Sequence, residues 1–586
     1  MWRSHCKTRR WTLKLSRWLW LMSKNRCGSE LIVEPIYMDV VDPSLQYGST
    51  QEVLSTTLIC QTDHLVRHPN GLFGFGWALD HEHVIVQAYL HMHFAGGRLE
   101  RVAVSLGRSR EDVAAAFPGN AQAANSGYMV IAGWGAEAPE RCELVFEMRA
   151  GVIARHELAL PAHDAVQSTE VSQSLYLAKR AWAYLRRGSI KTLVRKCLRY
   201  RGRNPTLVNS DETALAARLK NRPCRLVIDH SMGGGANLFR ERVVTDWRSS
   251  GDTVILLSFR VSSMQTFVEV RDRSGTYSCQ LPSLDSFVEL LVRMDLKQVF
   301  FNCAVSFPHP QSLRTFMLAL KQRTNASLIV AIHEYFLVCP SHFLLDDGGQ
   351  YCGIPSVSRC NACLSNHPDG FVSLTGERSI VRWREMWGEL LDAADEIRCF
   401  SQSSCTLLER AYPGIGGRAK LFPHYVEPLR EVSVPAPPRK YLTIGVIGSI
   451  SHHKGAGILQ DLAAAIHQVG APVRIVVVGS VDAPCHPEVV KETGPYAQDD
   501  LPKIVEKHGI SMAFLPSICP ETFSFVAHEI LSMKLPLICL DLGAQADLVR
   551  SLETGYIATR QDGPSLLEDI LAFDRSLHPL SIKVIS

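Results

Sequence analysis

Two glutamates, Glu521 and Glu529, stand in the run Pro520-Glu521-Thr522-Phe523-Ser524-Phe525-Val526-Ala527-His528-Glu529-Ile530-Leu531-Ser532-Met533. A carboxylate offers two acceptor oxygens, which suits the paired hydroxyls of a sugar or a ribose. Lys454, in Ser451-His452-His453-Lys454-Gly455, follows an apolar run that ends in Gly448 and Ser449, a place where a cation can meet a phosphate. His333 closes another apolar run, Leu328 to Ile332, and Gly233, Gly234 and Gly235 follow the run Leu226 to Asp229. Consecutive glycines let backbone amides approach a ligand, and a helix amino terminus adds a field favourable to phosphate. Each element alone has a plain alternative: a solvated helix face for the glutamates, a tight turn for the glycines, a structural histidine, a surface lysine.

The elements that would position these residues follow from the apolar pattern. Met512 to Ser517 and Leu535 to Asp541 read as buried strands, so the glutamates occupy a strand, loop, helix, strand unit, with Glu521 at the helix mouth and Glu529 two turns in. Strands at Leu226 to Asp229, Thr253 to Ser258, Gln298 to Phe301, Leu328 to Ile332 and Glu396 to Ser401, with a helix near Pro310 to Lys321, predict a first α/β half over 222–430. A proline-rich connector, Glu431 to Lys440, leads to a second half over 441–586, with strands at Leu442 to Ser449 and Arg474 to Gly479. Ligands of such sheets bind at the carboxyl ends of the strands, where the histidine, lysine and glycines fall.

Taken together and in this order, these residues resemble the E-x7-E signature of retaining glycosyltransferases of the GT-B fold, a group similar to glycosyltransferase family 4 that includes many bacterial surface-polysaccharide enzymes. The resemblance covers about residues 224–575. It implies two Rossmann-like domains facing a cleft, the first on the acceptor side and the second on the side of a nucleotide-diphosphate sugar donor, with no catalytic metal. It further implies that Glu521, with the backbone near Phe523 and Ser524, faces the donor sugar, and that Glu529 takes the ribose. Gly233 to Gly235, Gly448, Ser449 and Lys454 would hold the diphosphate, and His333 would lie beside the reacting centre. The reaction implied is sugar transfer with retention to a hydroxyl of a glycan or lipid-linked glycan. Three departures stand out: Ser449 where the family has arginine, Pro423-His424-Tyr425-Val426 where it has an Asn-Gly turn, and little sequence after Leu566 to Phe573 for a long final helix. Ser449 keeps open a different reading, a glycan-binding scaffold whose transferase site has decayed.

Short period-two segments over 50–162 predict a β-sandwich, similar to an all-β module fused to bacterial carbohydrate-modifying enzymes, read here as a glycan-binding or scaffolding accessory. His81, His83, His91 and His93 form two H-x-H pairs that could face each other around zinc, although no cysteine or carboxylate at ligand spacing completes the set. Cys339, Cys352, Cys360 and Cys363 share one loop and could close a structural zinc site, or stand as free or oxidised thiols. Residues 1–26 hold eight Lys or Arg and residues 171–203 hold ten, neither with an acid. Both carry apolar residues at helical spacing, so 1–30 and 166–210 are expected to be basic amphipathic helices attached to an anionic membrane surface, or else solvated linker helices. The 46% hydrophobic and 20% charged composition is that of a globular chain, and no apolar run spans a membrane. The cysteines, odd in number and scattered through apolar segments, favour a reducing, cytoplasmic setting, peripheral to the inner face of the membrane. No aromatic and basic platform for nucleic acid is evident.

Overall fold

The computed structural model describes residues 53–578, apart from 109, 121, 135–136, 162–165, 169–211, 435–438 and 551. The two basic segments lie outside the described residues, with one exception: Val166–Ser168, expected to begin a helix, form a strand paired with Leu58–His68. The all-β unit is therefore longer than 50–162.

That unit is two packed five-stranded sheets. One runs in the order Val53–Leu54, Val152–Leu158, Arg141–Met148, Ile85–His93, Leu99–Ala103, and the other Val166–Ser168, Leu58–His68, Gly71–Asp80, Gly127–Gly133, Ser105–Arg108. Alternation sets the faces: in Ile85–His93, Ala88, Leu90 and Met92 enter the core with Leu144 and Phe146, while Tyr89, His91 and His93 take the opposite side. The second sheet is apolar on its other face too, and Val66, Phe73, Met129 and Ile131 share one core with the first parallel domain. Ser373 Oγ also donates to Gly133 O at 2.9 Å and accepts from Gly133 N at 3.2 Å. Covering both faces of that sheet welds the sandwich to its neighbour.

The first parallel domain is an eight-stranded sheet in the order Gly275–Gln280, Gln265–Asp272, Thr253–Arg260, Pro223–Ile228, Asp295–Phe301, Ser327–Ala331, Glu396–Cys399, Ala419–Leu421. From Thr253–Arg260 onward the neighbours are parallel, and Gln265–Asp272 and Gly275–Gln280 add an antiparallel edge hairpin beyond the expected strands. Helix Ile380–Ala393, capped by Ser379, which accepts from Arg382 N, packs Trp383 and Trp387 one turn apart into the core. Trimming either ring to alanine would cost about 3–5 kcal/mol.

The second parallel domain has six parallel strands in the order Val490–Glu492, Val473–Val481, Leu442–Ile450, Met512–Leu515, Leu537–Leu540, Gly555–Ala558. Its strands are almost continuously apolar because helices cover both faces. Ala456–Val469 and Gly563–Leu577 share one core, and Leu501–His508 and Phe525–Ser532 share the other. Two doubly wound domains preceded by a β-sandwich are the expected fold class. The chain crosses between them earlier than expected. Phe422 N still bonds Cys399 O at 2.7 Å, but Leu429 N reaches Ser532 Oγ at 3.0 Å and Val432 N reaches Met533 O at 3.2 Å. The crossing thus lies within 423–428, because Leu429, Val432 and Val434 pack on the second core.

Candidate active site

On the second domain, strand Leu442–Ile450 delivers Gly448 and Ser449 to its carboxyl end, where Ser449 Oγ lies 3.3 Å from Ser480 Oγ. The turn His452–Lys454 follows and is closed by Gly455 at φ +85°, where a Cβ would stand 2.0 Å from Pro516 O. Only glycine allows that approach. It seats the turn on the segment before Glu521: His453 O accepts from Ile518 N at 3.1 Å and from Ser517 Oγ at 3.3 Å. Lys454 itself is exposed and makes no ion pair among the described residues.

Glu521 is held by a second close approach. Ala544 N donates to Glu521 O at 2.8 Å, and Gly543, at φ +60°, comes so near that a Cβ would stand 2.5 Å from Glu521 N. Its carboxylate is partly exposed and has no hydrogen-bond partner among the described residues. Ser524 caps helix Phe525–Ser532 by accepting from Ala527 N, and its carbonyl accepts from His528 N at 3.3 Å, so it is committed to starting the helix. Glu529 sits little more than one turn into that helix, not two, because the helix begins at Phe525. It is 8% exposed with no side-chain partner among the described residues, and burial pushes its carboxyl up to about 7.

On the first domain three neighbouring strands end in Asp229–His230, Asn302–Cys303 and His333–Glu334. Asp229 accepts from His230 N at 2.8 Å, Asn237 Nδ2 at 2.8 Å and Arg240 Nη1 at 2.9 Å. Asn237 Oδ1 in turn accepts from Gly233 N at 2.7 Å. Gly233 therefore spends its amide inside the protein, contrary to its expected role on phosphate. Gly234 and Gly235 open helix Gly234–Ser249, and their amides have no partner among the described residues. A Cβ on Gly235 would come within 3.0 Å of the Phe525 ring, so this loop faces the second domain.

His333 joins the two walls. Its carbonyl accepts from Thr522 Oγ1 at 2.6 Å, one residue from Glu521. Its ring packs on Phe400, Phe239 and His424, with centroids at 4.3, 5.0 and 5.4 Å. Burial, reinforced by His424 and His230, holds the imidazole well below its usual range, and Nε2 has no hydrogen-bond partner. His424, from the crossing segment, meets Phe523 and Phe525 at 4.7 and 5.3 Å and is likewise lowered, to about 4, chiefly by burial. The residues expected to share a cleft are thus brought together, although Gly448 and Ser449 belong to it by strand position alone. Thr522, Phe525, His424 and Glu334 were missed as site residues. Glu334 carried a signal, an acid at a strand end beside His333, whereas the ring contacts of His424 have no local signature.

The cysteine loop has a different role. No three of Cys339, Cys352, Cys360 and Cys363 bring their sulfurs within 4.8 Å of one another. Burial pushes the thiols of Cys339 and Cys363 up, the latter to about 12. The loop instead bridges the domains: Phe343 stacks on His453 at 4.0 Å, His452 Nε2 lies 3.1 Å from Gly349 O, and Leu345 enters the second core. In the sandwich, His81 and His83 lie in a bend after Gly71–Asp80, so the two histidine pairs do not face each other on strands. A carboxylate does complete the second pair, since Glu143 lies opposite His91, with Oε1 at 2.9 Å from His93 Nε2. Arg155 and Arg141 already donate to that carboxylate at 3.1 and 3.4 Å, which disfavours a cation there. Asp229, His230 and Cys303 also bring ligand-type atoms together, but both Asp229 oxygens are taken by the bonds above.

Among the described residues no helix is long and apolar enough to cross a membrane. No curated protein matches the chain. Among solved structures, Anabaena HepE in complex with UDP and glucose is 15% identical, covers 61% of this chain and 90% of its own, and gives a TM-score of 0.36. The lipopolysaccharide outer core galactosyltransferase WaaB is 12% identical over 60% of this chain and 90% of its own, with a TM-score of 0.39. A glycosyltransferase from Rickettsia africae is 12% identical over 61% and 89%, with a TM-score of 0.38. Likenesses of this order say nothing about what this chain binds. The family described as Glycosyl transferases group 1 matches residues 441–573, the six-stranded domain that carries Lys454, Glu521 and Glu529.

Proposed function

We propose that the protein is a retaining glycosyltransferase that moves a sugar from a nucleoside diphosphate sugar to a hydroxyl of a glycan or lipid-linked glycan, in the building of a cell-surface polysaccharide. The observation that carries this reading is a set of uncommitted charges, Lys454, Glu521 and Glu529, on the domain matched by the group 1 glycosyl transferase family, which meets His333 through the Thr522 to His333 hydrogen bond. An exposed lysine and the free amides of Gly234 and Gly235 suit a departing diphosphate, whose charge is the main thing to stabilise. Glu521 accepts hydrogen bonds from the donor sugar, and Glu529 from the ribose. His333, kept neutral by its surroundings, lies beside the anomeric carbon and offers Nε2 to a sugar hydroxyl. The basic stretches 1–26 and 171–203 would hold the enzyme at an anionic bilayer, which co-sedimentation with anionic and neutral vesicles tests.

The decisive experiment incubates the protein with UDP-glucose, UDP-galactose, UDP-N-acetylglucosamine and GDP-mannose and measures release of the nucleoside diphosphate. Turnover of at least one, lost about 10²- to 10³-fold in Lys454→Ala and Glu521→Ala, is expected. Full activity in either variant would refute these roles. A wild type that turns over none and binds neither UDP nor GDP would leave a glycan-binding scaffold, the reading to which Ser449 points.

A further inference from the structure

Glu334 belongs to the site by position but has been given no role in it so far. It follows His333 at the end of strand Ser327–Ala331 and is surrounded by protein, but keeps a solvent-accessible face. The chain of contacts Glu521–Thr522, Thr522 Oγ1 to His333 O, His333–Glu334 places it three links from the residue assigned to the donor sugar. The groups beside it are the Cys303 thiol and the Asp229 carboxylate. Neither supplies a cation. Arg240, which binds that carboxylate, is occupied by Asp229 and Glu241, each at 2.9 Å.

We propose that Glu334 is a carboxylic acid that binds the acceptor, its O–H donating to one hydroxyl of the incoming polyol and its C=O accepting from the next, beside His333. The inference rests on the transferase reading above and names the acceptor chemistry of that site: adjacent hydroxyls on an uncharged part of a glycan. An acid group in place of a carboxylate matters here, because a second negative charge next to a departing diphosphate would oppose the reaction. Burial, with Asp229 adding to it, pushes the Glu334 carboxyl up to about 8, so it stays protonated at neutral pH. The proton remains on Glu334 throughout, and the proton of the attacking hydroxyl leaves with the diphosphate.

The test uses whichever sugar nucleotide the wild type turns over, with glycerol as polyol acceptor, and follows diphosphate release against pH, alongside calorimetric titration with UDP or GDP. Wild-type turnover should fall about fivefold or more as pH rises from about 7 to about 9, as Glu334 ionises. Glu334→Gln, close in shape and always neutral, should lower turnover about two- to fivefold at pH 7 and remove the alkaline fall. Glu334→Ala should lose about tenfold or more while its nucleotide affinity changes less than about twofold. A Glu334→Gln curve that falls with pH as the wild type does, or wild-type turnover in Glu334→Ala, overturns the role of Glu334 and leaves the transferase reading standing. A wild type that neither binds nucleotide nor turns it over removes both.

Discussion

The two walls of the cleft are built on opposite plans. On the first domain Asp229, Asn237, Arg240 and Gly233 form a hydrogen-bonded network, and the rings of Phe239, His333 and Phe400 pack together beside it. On the second domain Lys454, Glu521 and Glu529 have no side-chain partner among the described residues, and what holds them is backbone: Gly455 against Pro516 and Gly543 against Glu521. A satisfied network stiffens a wall, whereas unpaired charges on a rigid backbone lose little when a charged ligand arrives. The Asp229 network of the first wall therefore contributes mainly to stability, and the unpaired charges of the second mainly to ligand binding.

Substitutions on the two sides should separate these properties. The largest effect is on the second wall: Lys454→Ala should cut transfer about 10²- to 10³-fold while shifting stability by less than about 0.5 kcal/mol, because the side chain is exposed and unpaired. Urea unfolding and turnover measured on the same sample check this, and a matching loss of stability would break the contrast. On the first wall Asn237→Ala should show the reverse emphasis. It strands the Gly233 amide and takes one of three donors from the buried Asp229, at a cost of about 2–3 kcal/mol in stability.

Glu529→Gln sharpens the comparison through pH. The folded carboxyl, raised to about 7, holds its proton where the unfolded one, near the ordinary range, has lost it. Wild-type stability should therefore fall as pH climbs from the ordinary glutamate range to about 7, and the variant, which does not titrate, should gain in melting temperature relative to it over that window. Its affinity for UDP should drop about tenfold, near 1.4 kcal/mol, for loss of a charged acceptor. The smallest effect is expected at the join between the walls. Thr522→Val removes the hydroxyl that donates to His333 O and should cost about 1 kcal/mol in stability, read by calorimetry, and reduce turnover modestly.

Much of this architecture is legible along the chain because parallel sheets buried on both faces demand uninterrupted apolar strands. Ile444 to Ile447, Ile475 to Val478 and Leu537 to Leu540 are visible for that reason, and Gly448, Ser449 and Lys454 fall at or after the carboxyl end of the first. The period-two sandwich strands are legible for the same kind of reason, one apolar side against a core. The edge hairpin Gln265–Asp272 with Gly275–Gln280 also alternates, in Phe267, Val268 and Val270, but its place at the sheet edge is a matter of pairing partners that local pattern does not name.

Chemical type and order along the chain depend on local sequence, and these by themselves determined two doubly wound domains, an all-β unit before them, and the set of side chains able to meet a phosphorylated sugar. Only the tertiary structure decided which of those side chains are free. Gly233 and Asn237 neutralise each other, Ser524 is used as a helix cap, and the cysteine loop bridges two domains in place of gathering three of its sulfurs together. Burial in the closed cleft likewise turned His333 and His424 into neutral rings and pushed Glu334 and Glu529 upward. Such outcomes depend on groups distant in sequence competing for the same partners and the same solvent, a competition that exists only once the domains are packed.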